Sequence, residues 1–99
     1  MDPEEALVAS VSSCHMLYFL FFAAKRGFVV DSYVDNAFGV LEKNAAGKMA
    51  MTRVELHPRI VFSGPKQPAS ADLDALHEKA HRDCFIANSV TTDVTVVSP

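Results

Sequence analysis

Two cysteines and a set of histidines carry the chemistry open to this chain. Cys14 and His15 stand side by side in Val11-Ser12-Ser13-Cys14-His15-Met16-Leu17, and Cys84 lies far along the chain in His81-Arg82-Asp83-Cys84-Phe85-Ile86. A thiol in such a setting is a redox group, a metal ligand or a small buried hydrophobe. His77, His81 and Cys84 form an H-x3-H-x2-C spacing, and Cys14 with His15 could complete a tetrahedral site. Neighbouring helical residues diverge by roughly 100°, however, so Cys14 and His15 do not both face one ion. No metal or cofactor is expected. A helical His-x3-His pair also arises on solvated faces without any ligand.

Helices must position these groups. Asp2-Pro3-Glu4-Glu5 is a helix start, with Asp2 as N-cap, Pro3 at the first helical position and acids in the first turn. Lys25-Arg26-Gly27 is the matching stop. Ala6 to Ala24 is uncharged and approaches the length of a membrane span. Its first half is mostly Ala, Ser, Cys and His, weak membrane formers, so it reads as a buried core helix, with a membrane segment the lesser alternative. Cys14 lies in line with Leu7, Val11 and Tyr18, while Cys84 shares a face with Leu73 and Ala80. If those faces pack together, the two sulfurs can meet.

The remaining elements follow from alternation and turn residues. Phe28 to Asn36 and Ala37 to Lys43 are rich in strand formers, and Asn44-Ala45-Ala46-Gly47 is a hairpin turn. Met49 to Ser63 alternates, with Val54, Leu56, Ile60 and Phe62 on one face and Arg53, Glu55, His57 and Arg59 on the other. It reads as one long strand, placed at an edge or bulged by Pro58. Ser70 is expected to cap a second helix running to about Asp83, and Thr91 to Ser98 closes the chain as a strand. The order is α-β-β-β-α-β in one α+β domain spanning residues 1–99.

Composition narrows the function. Of 99 residues, 49% are hydrophobic and 21% charged, which describes a globular chain and excludes a disordered one. The net charge is −3, and Lys25-Arg26 is the one adjacent basic pair, so no basic face exists for nucleic acid. Two cysteines are too few for a disulfide scaffold, and the chain reads as cytoplasmic, where a thiol pair stays reduced unless it works. A small chain this apolar invites oligomerisation.

The stretch Asp2 to Phe28, followed by strands, then Leu76-His77-Glu78-Lys79-Ala80-His81-Arg82-Asp83-Cys84-Phe85-Ile86-Ala87-Asn88-Ser89-Val90 and a last strand, resembles the OsmC/Ohr family of hydroperoxide-reducing proteins. The matching motifs are Pro-Glu before a helical cysteine and Cys-x-x-x-Asn-Ser at the second. The resemblance implies a buried central helix and a second helix packed on curved antiparallel sheet, in an intertwined homodimer. It implies a thiol-dependent peroxidase for organic hydroperoxides, with Cys14 peroxidatic, Cys84 resolving and a lipoyl or thioredoxin-like dithiol as reductant. Met16, Tyr18, Phe19, Phe21 and Phe22 would surround the site with apolar groups.

The family activates its thiolate with an arginine steered by a glutamate, and Glu4 matches the glutamate. In one continuous helix Glu4 lies ~15 Å along the axis from Cys14. Either the helix starts later, or Glu4 serves a partner chain. The family's arginine precedes the Pro-Glu motif, and this chain opens at Met1-Asp2-Pro3, so it reads as an N-terminally shortened member. Arg53, Arg59 and Arg82 are the in-chain candidates for a substitute, although each reads better as a solvated charge. The alternative function is a non-catalytic dimeric module or fragment without the activating arginine.

Overall fold

A computed structural model describes residues 1–98; Pro99 lies outside the described residues. The first helix, α1 (Pro3–Lys25), begins where the carboxylate of Asp2 accepts the backbone N–H of Glu5 at 2.7 Å. It ends at Gly27, whose φ of +80° closes the last turn at little cost to a residue without Cβ. Strands β1 (Val29–Asp35), β2 (Phe38–Lys43), β3 (Met49–Leu56) and β4 (Pro58–Ser63) follow, then α2 (Ser70–Asp83), a 3-10 turn (Ala87–Ser89) and β5 (Asp93–Val96).

The order is therefore α-β-β-β-β-α-β, and the stretch Met49 to Ser63 is two strands rather than one. The break falls at His57, whose N–H leaves the ladder and donates to Asp35 Oδ1 at 2.7 Å. Alternation keeps its phase across the break, which is why the two strands read as one. The two halves join different sheets, and one of these sheets contains a parallel pair where antiparallel sheet was expected. β1 pairs antiparallel with β4, while β3 lies between β2, antiparallel, and β5, parallel. The closing strand is shorter than Thr91–Ser98 by several residues. The hairpin between β2 and β3 forms at Asn44–Gly47, where Asn44 Oδ1 accepts from the N–H groups of Ala46 and Lys48.

The cap of α2 also moves by one residue. Ala69 occupies the capping position, and its N–H donates to Asp72 Oδ2 at 3.0 Å, so Ser70 is the first helical residue. The side chain of Asp72 thus reaches back to the N–H of the capping residue, whereas a capping hydroxyl would accept from the N–H groups of the first turn.

The helix α1 serves two cores. Its C-terminal half packs Phe19, Phe22 and Ala23 against Leu76 and Ala80 of α2 and against the sheet of β1 and β4. Its N-terminal half packs Val11 on Val54, Leu56 and Val94 of the other sheet. Gly39 of β2 lets α1 approach that sheet closely: a Cβ there would lie 2.8 Å from Val8 Cγ2 and 2.3 Å from Met51 Cε. Ser12 ties the middle of α1 to β1, donating to Asp35 Oδ2 at 2.6 Å. Cys14 and His15 sit where the two cores meet. The helix is long and apolar enough to cross a membrane by length and composition, with mean hydropathy 1.7 over its most apolar window. It is not enclosed on all sides, because Leu17 is 64% and Phe21 55% exposed.

Candidate active site

The two cysteines meet. Cys14 on α1 and Cys84 at the C-terminal cap of α2 are both buried free thiols. Burial, first, raises the proton affinity of the Cys84 thiol, and the neighbouring Cys14 sulfur raises it further through hydrogen-bonding and charge interactions. The backbone N–H groups of Ala87 and Ile86 oppose this by favouring the thiolate. Those donors exist because the chain turns sharply after α2. Asn88 holds the turn: its N–H donates to the Cys84 carbonyl at 3.1 Å and its side-chain amide to the Arg82 carbonyl at 3.0 Å. The hydroxyl of Ser89 donates to the Phe85 carbonyl at 2.6 Å. Orphan carbonyls at the end of α2 are satisfied in this way.

Cys14 opens onto an apolar groove of about 600 Å³. Leu17, Tyr18, Phe21, Phe85 and Ile86 form most of its wall, with Ser10 and Ser13 adding polar atoms. Tyr18 meets Phe85 edge to face, with ring centroids 6.3 Å apart. Cys84 lies behind Cys14 and is not part of the groove wall. Among the described residues, no Lys or Arg lines the groove. Arg53 instead approaches Glu42 at 3.9 Å and Arg82 approaches Asp83 at 3.8 Å, both on exposed surface, and Arg59 is exposed on β4. Of the aromatic residues expected around the thiol, Tyr18 and Phe21 line the groove, whereas Phe19 and Phe22 face the core.

Glu4 is not brought to Cys14. The helix runs unbroken from Pro3, so Glu4 stays one long stretch of helix away and lines a separate cavity of about 590 Å³ with Asp35, Phe38 and Met51. Of the two options for Glu4, a later helix start is therefore overturned.

His15 is fully buried, and its Nε2 lies 3.0 Å from Nδ1 of His77. His77, expected on a solvated face, is buried as well. The signal was present in the sequence, since His77 follows Leu73 by four residues and precedes Cys84 by seven, on the same face. The H-x3-H-x2-C spacing is consequently divided: His77 turns to His15, Cys84 to Cys14, and His81 is exposed.

The family model for OsmC-like proteins matches residues 1–98. This chain belongs to the OsmC family. It is similar to an OsmC-like protein of unknown function from Vibrio cholerae, with 52% identity and a TM-score of 0.98 over the whole of this chain. The chain spans 64% of the length of that relative. The fold also recurs in an organic hydroperoxide resistance protein from Legionella pneumophila, at 19% identity and a TM-score of 0.79, covering 99% of this chain and 69% of the other. A protein described in the same terms from Elizabethkingia anophelis is 22% identical, with a TM-score of 0.74, covering 100% and 69%. No curated protein sequence matches. As an OsmC-like chain, it presents its cysteines in the two contexts already described: one on a central helix, one at the Cys-x-x-x-Asn-Ser turn.

Proposed function

We propose that this chain, read as one OsmC-type domain, is the cysteine-bearing part of a thiol-dependent peroxidase that reduces organic hydroperoxides. The observation that carries the reading is the placement of the cysteines: Cys14 at the wall of an apolar groove, Cys84 buried directly behind it. An alkyl or aryl group would rest on Leu17, Phe21 and Phe85 with its O–O bond at the Cys14 sulfur. The Cys14 thiolate forms an S–O bond as the O–O bond breaks, and the departing alkoxide takes a proton and leaves as the alcohol. Cys14 is then a sulfenic acid, on the reversible rung of thiol oxidation. Attack by Cys84 on that sulfur forms the disulfide and releases water. A dithiol of the lipoyl or thioredoxin-like kind then exchanges with the disulfide and restores both thiols.

The cation that makes Cys14 nucleophilic would come from outside the groove as it stands in one chain, either from a partner subunit or from chain accompanying this unit in longer relatives. Glu4 would act on that cation in a partner's site. A homodimer in the cytoplasm fits this arrangement, because the uncovered apolar face of α1 is the face that holds the groove.

The test is hydroperoxide consumption with dithiothreitol as reductant, comparing the chain with Cys14→Ser and Cys84→Ser. Loss of turnover in Cys14→Ser, with Cys84→Ser turning over only as dithiothreitol reaches the Cys14 sulfenic acid directly and losing activity to over-oxidation, supports the reading. Absence of turnover in the unmutated chain favours the second reading, a non-catalytic OsmC-like module. That alternative is favoured by one observation: the groove wall holds no basic side chain among the described residues.

A further inference from the structure

We propose that His15 and His77 form a clasp that positions Cys14 and Cys84 for disulfide formation and opens in acid. His15 adjoins Cys14 on α1, and His77 lies seven residues before Cys84 on the same face of α2. Their rings lie nearly parallel, 10° apart with centroids at 5.3 Å, and Nε2 of His15 is 3.0 Å from Nδ1 of His77. This is a polar side-chain contact joining the two cysteine-bearing helices inside the core, beside the cysteine pair itself. It rests on the cysteine-pair chemistry proposed above and adds the groups that hold the pair in place.

Proton positions follow from the surroundings. Nδ1 of His15 is buried without a partner. A proton there would be a stranded donor, so His15 carries its proton on Nε2 and donates it to His77 Nδ1. Around the pair, Asp74, Glu78 and the exposed His81 belong to α2, and Asp35 to β1; β5 adds Val94, Thr95 and Val96 to the cavity that His77 lines. His77 lines a cavity of about 360 Å³ with Asp74, Glu78 and His81, whereas His15 is sealed. Protons therefore reach the clasp from the His77 side. Protonating Nδ1 of His77 sets two N–H groups against each other, and His15 can yield only by moving its own proton to the stranded Nδ1. Both outcomes are unfavourable in a buried site, so the clasp opens.

The test is the exchange equilibrium between the reduced chain with oxidised dithiothreitol and the disulfide form with reduced dithiothreitol, a reaction that consumes no net protons. Two variants are compared, both of the full chain. His77→Phe removes the acceptor; His77→Asn keeps a polar atom near the position of Nδ1 but cannot titrate there. At about pH 7, His77→Phe should weaken the disulfide about fivefold to tenfold, the factor one net hydrogen bond supplies, and His77→Asn should restore most of it. Acidification to about pH 4.5 should move the unmutated chain toward the His77→Phe value and leave His77→Asn nearly level. An unchanged equilibrium in His77→Phe, or equal acid sensitivity in His77→Asn, overturns the clasp alone. A chain that forms no Cys14–Cys84 disulfide at any ratio overturns the peroxidase reading as well. Should a variant fail to fold, the unmutated chain still decides. Nitrogen-15 spectra should show His15 protonated at Nε2 with a coupling across the N–H···N contact, and a proton on Nδ1 instead would refute the proposal.

Discussion

Lowering the pH from about 7.5 to about 5 should destabilise the fold well before its carboxylates titrate. Burial, with the nearby His77 and His81 adding to it, lowers the pKa of His15 from 6.5 to about 4. The unfolded chain therefore binds more protons than the folded one within that window, and stability falls as pH falls. The contribution of His15 is complete above about pH 6.5 and is gone below about 4. Over the whole window it amounts to about 3 kcal/mol, and about 2 kcal/mol of that is lost by pH 5. Burial lowers His77 in the same direction, opposed by Asp74 and Asp35. Against a total stability of ~5–15 kcal/mol for a small domain, this is a large fraction. Asp2 and Asp72, held below the usual carboxylate range chiefly by backbone N–H donors, add their loss only at lower pH. The assay is urea unfolding at fixed protein concentration, since any dimer makes stability concentration-dependent. His15→Leu should show a flatter pH response than the unmutated chain. A midpoint that does not move between about pH 7.5 and 5, or an equally steep fall in His15→Leu, would refute the reasoning.

Further substitutions test the packing and the turn after α2. Phe19→Ala removes a fully buried ring that touches Tyr33, Phe62 and His77, and should cost about 3–5 kcal/mol in denaturant unfolding. Gly39→Val drives a side chain into Val8 and Met51 where α1 meets its sheet. It should cost about 1–3 kcal/mol, whereas Gly47→Ala, with open space around it, should be limited to its positive-φ penalty of about 1–2 kcal/mol. Asn88→Ala frees the Arg82 carbonyl at an exposed site, for a loss of about 0.5–1.5 kcal/mol, and should speed amide exchange in the turn after Cys84 before it changes exchange elsewhere.

How much was legible can be judged from particular residues. The bounds of α1 were readable because Asp2, Pro3, Arg26 and Gly27 act locally, through capping and backbone freedom. The meeting of Cys14 and Cys84 was readable as a juxtaposition of two apolar helix faces, and the family motifs pointed to the same pair. The division of Met49–Ser63 was not, because it depends on Asp35, distant in sequence, capturing the N–H of His57. The His15–His77 contact was not read: the spacing of His77 to Leu73 and Cys84 places it on the apolar face, against the solvated face expected, and its partner lies 62 positions away, set by how α1 and α2 cross. Leu17 and Phe21 stay exposed because the strands and second helix of one chain do not cover a helix that is apolar on all sides, which is why such a helix points to a partner chain.

The central claim is that Cys14 and Cys84 act as one redox pair at the apolar groove, and mass spectrometry of the chain after one equivalent of an aryl hydroperoxide tests it most directly. A Cys14–Cys84 linked peptide is expected in the unmutated chain, and a sulfenic acid on Cys14, trappable by dimedone, in Cys84→Ser. Oxidation confined to the methionines, with both thiols still free, would contradict it.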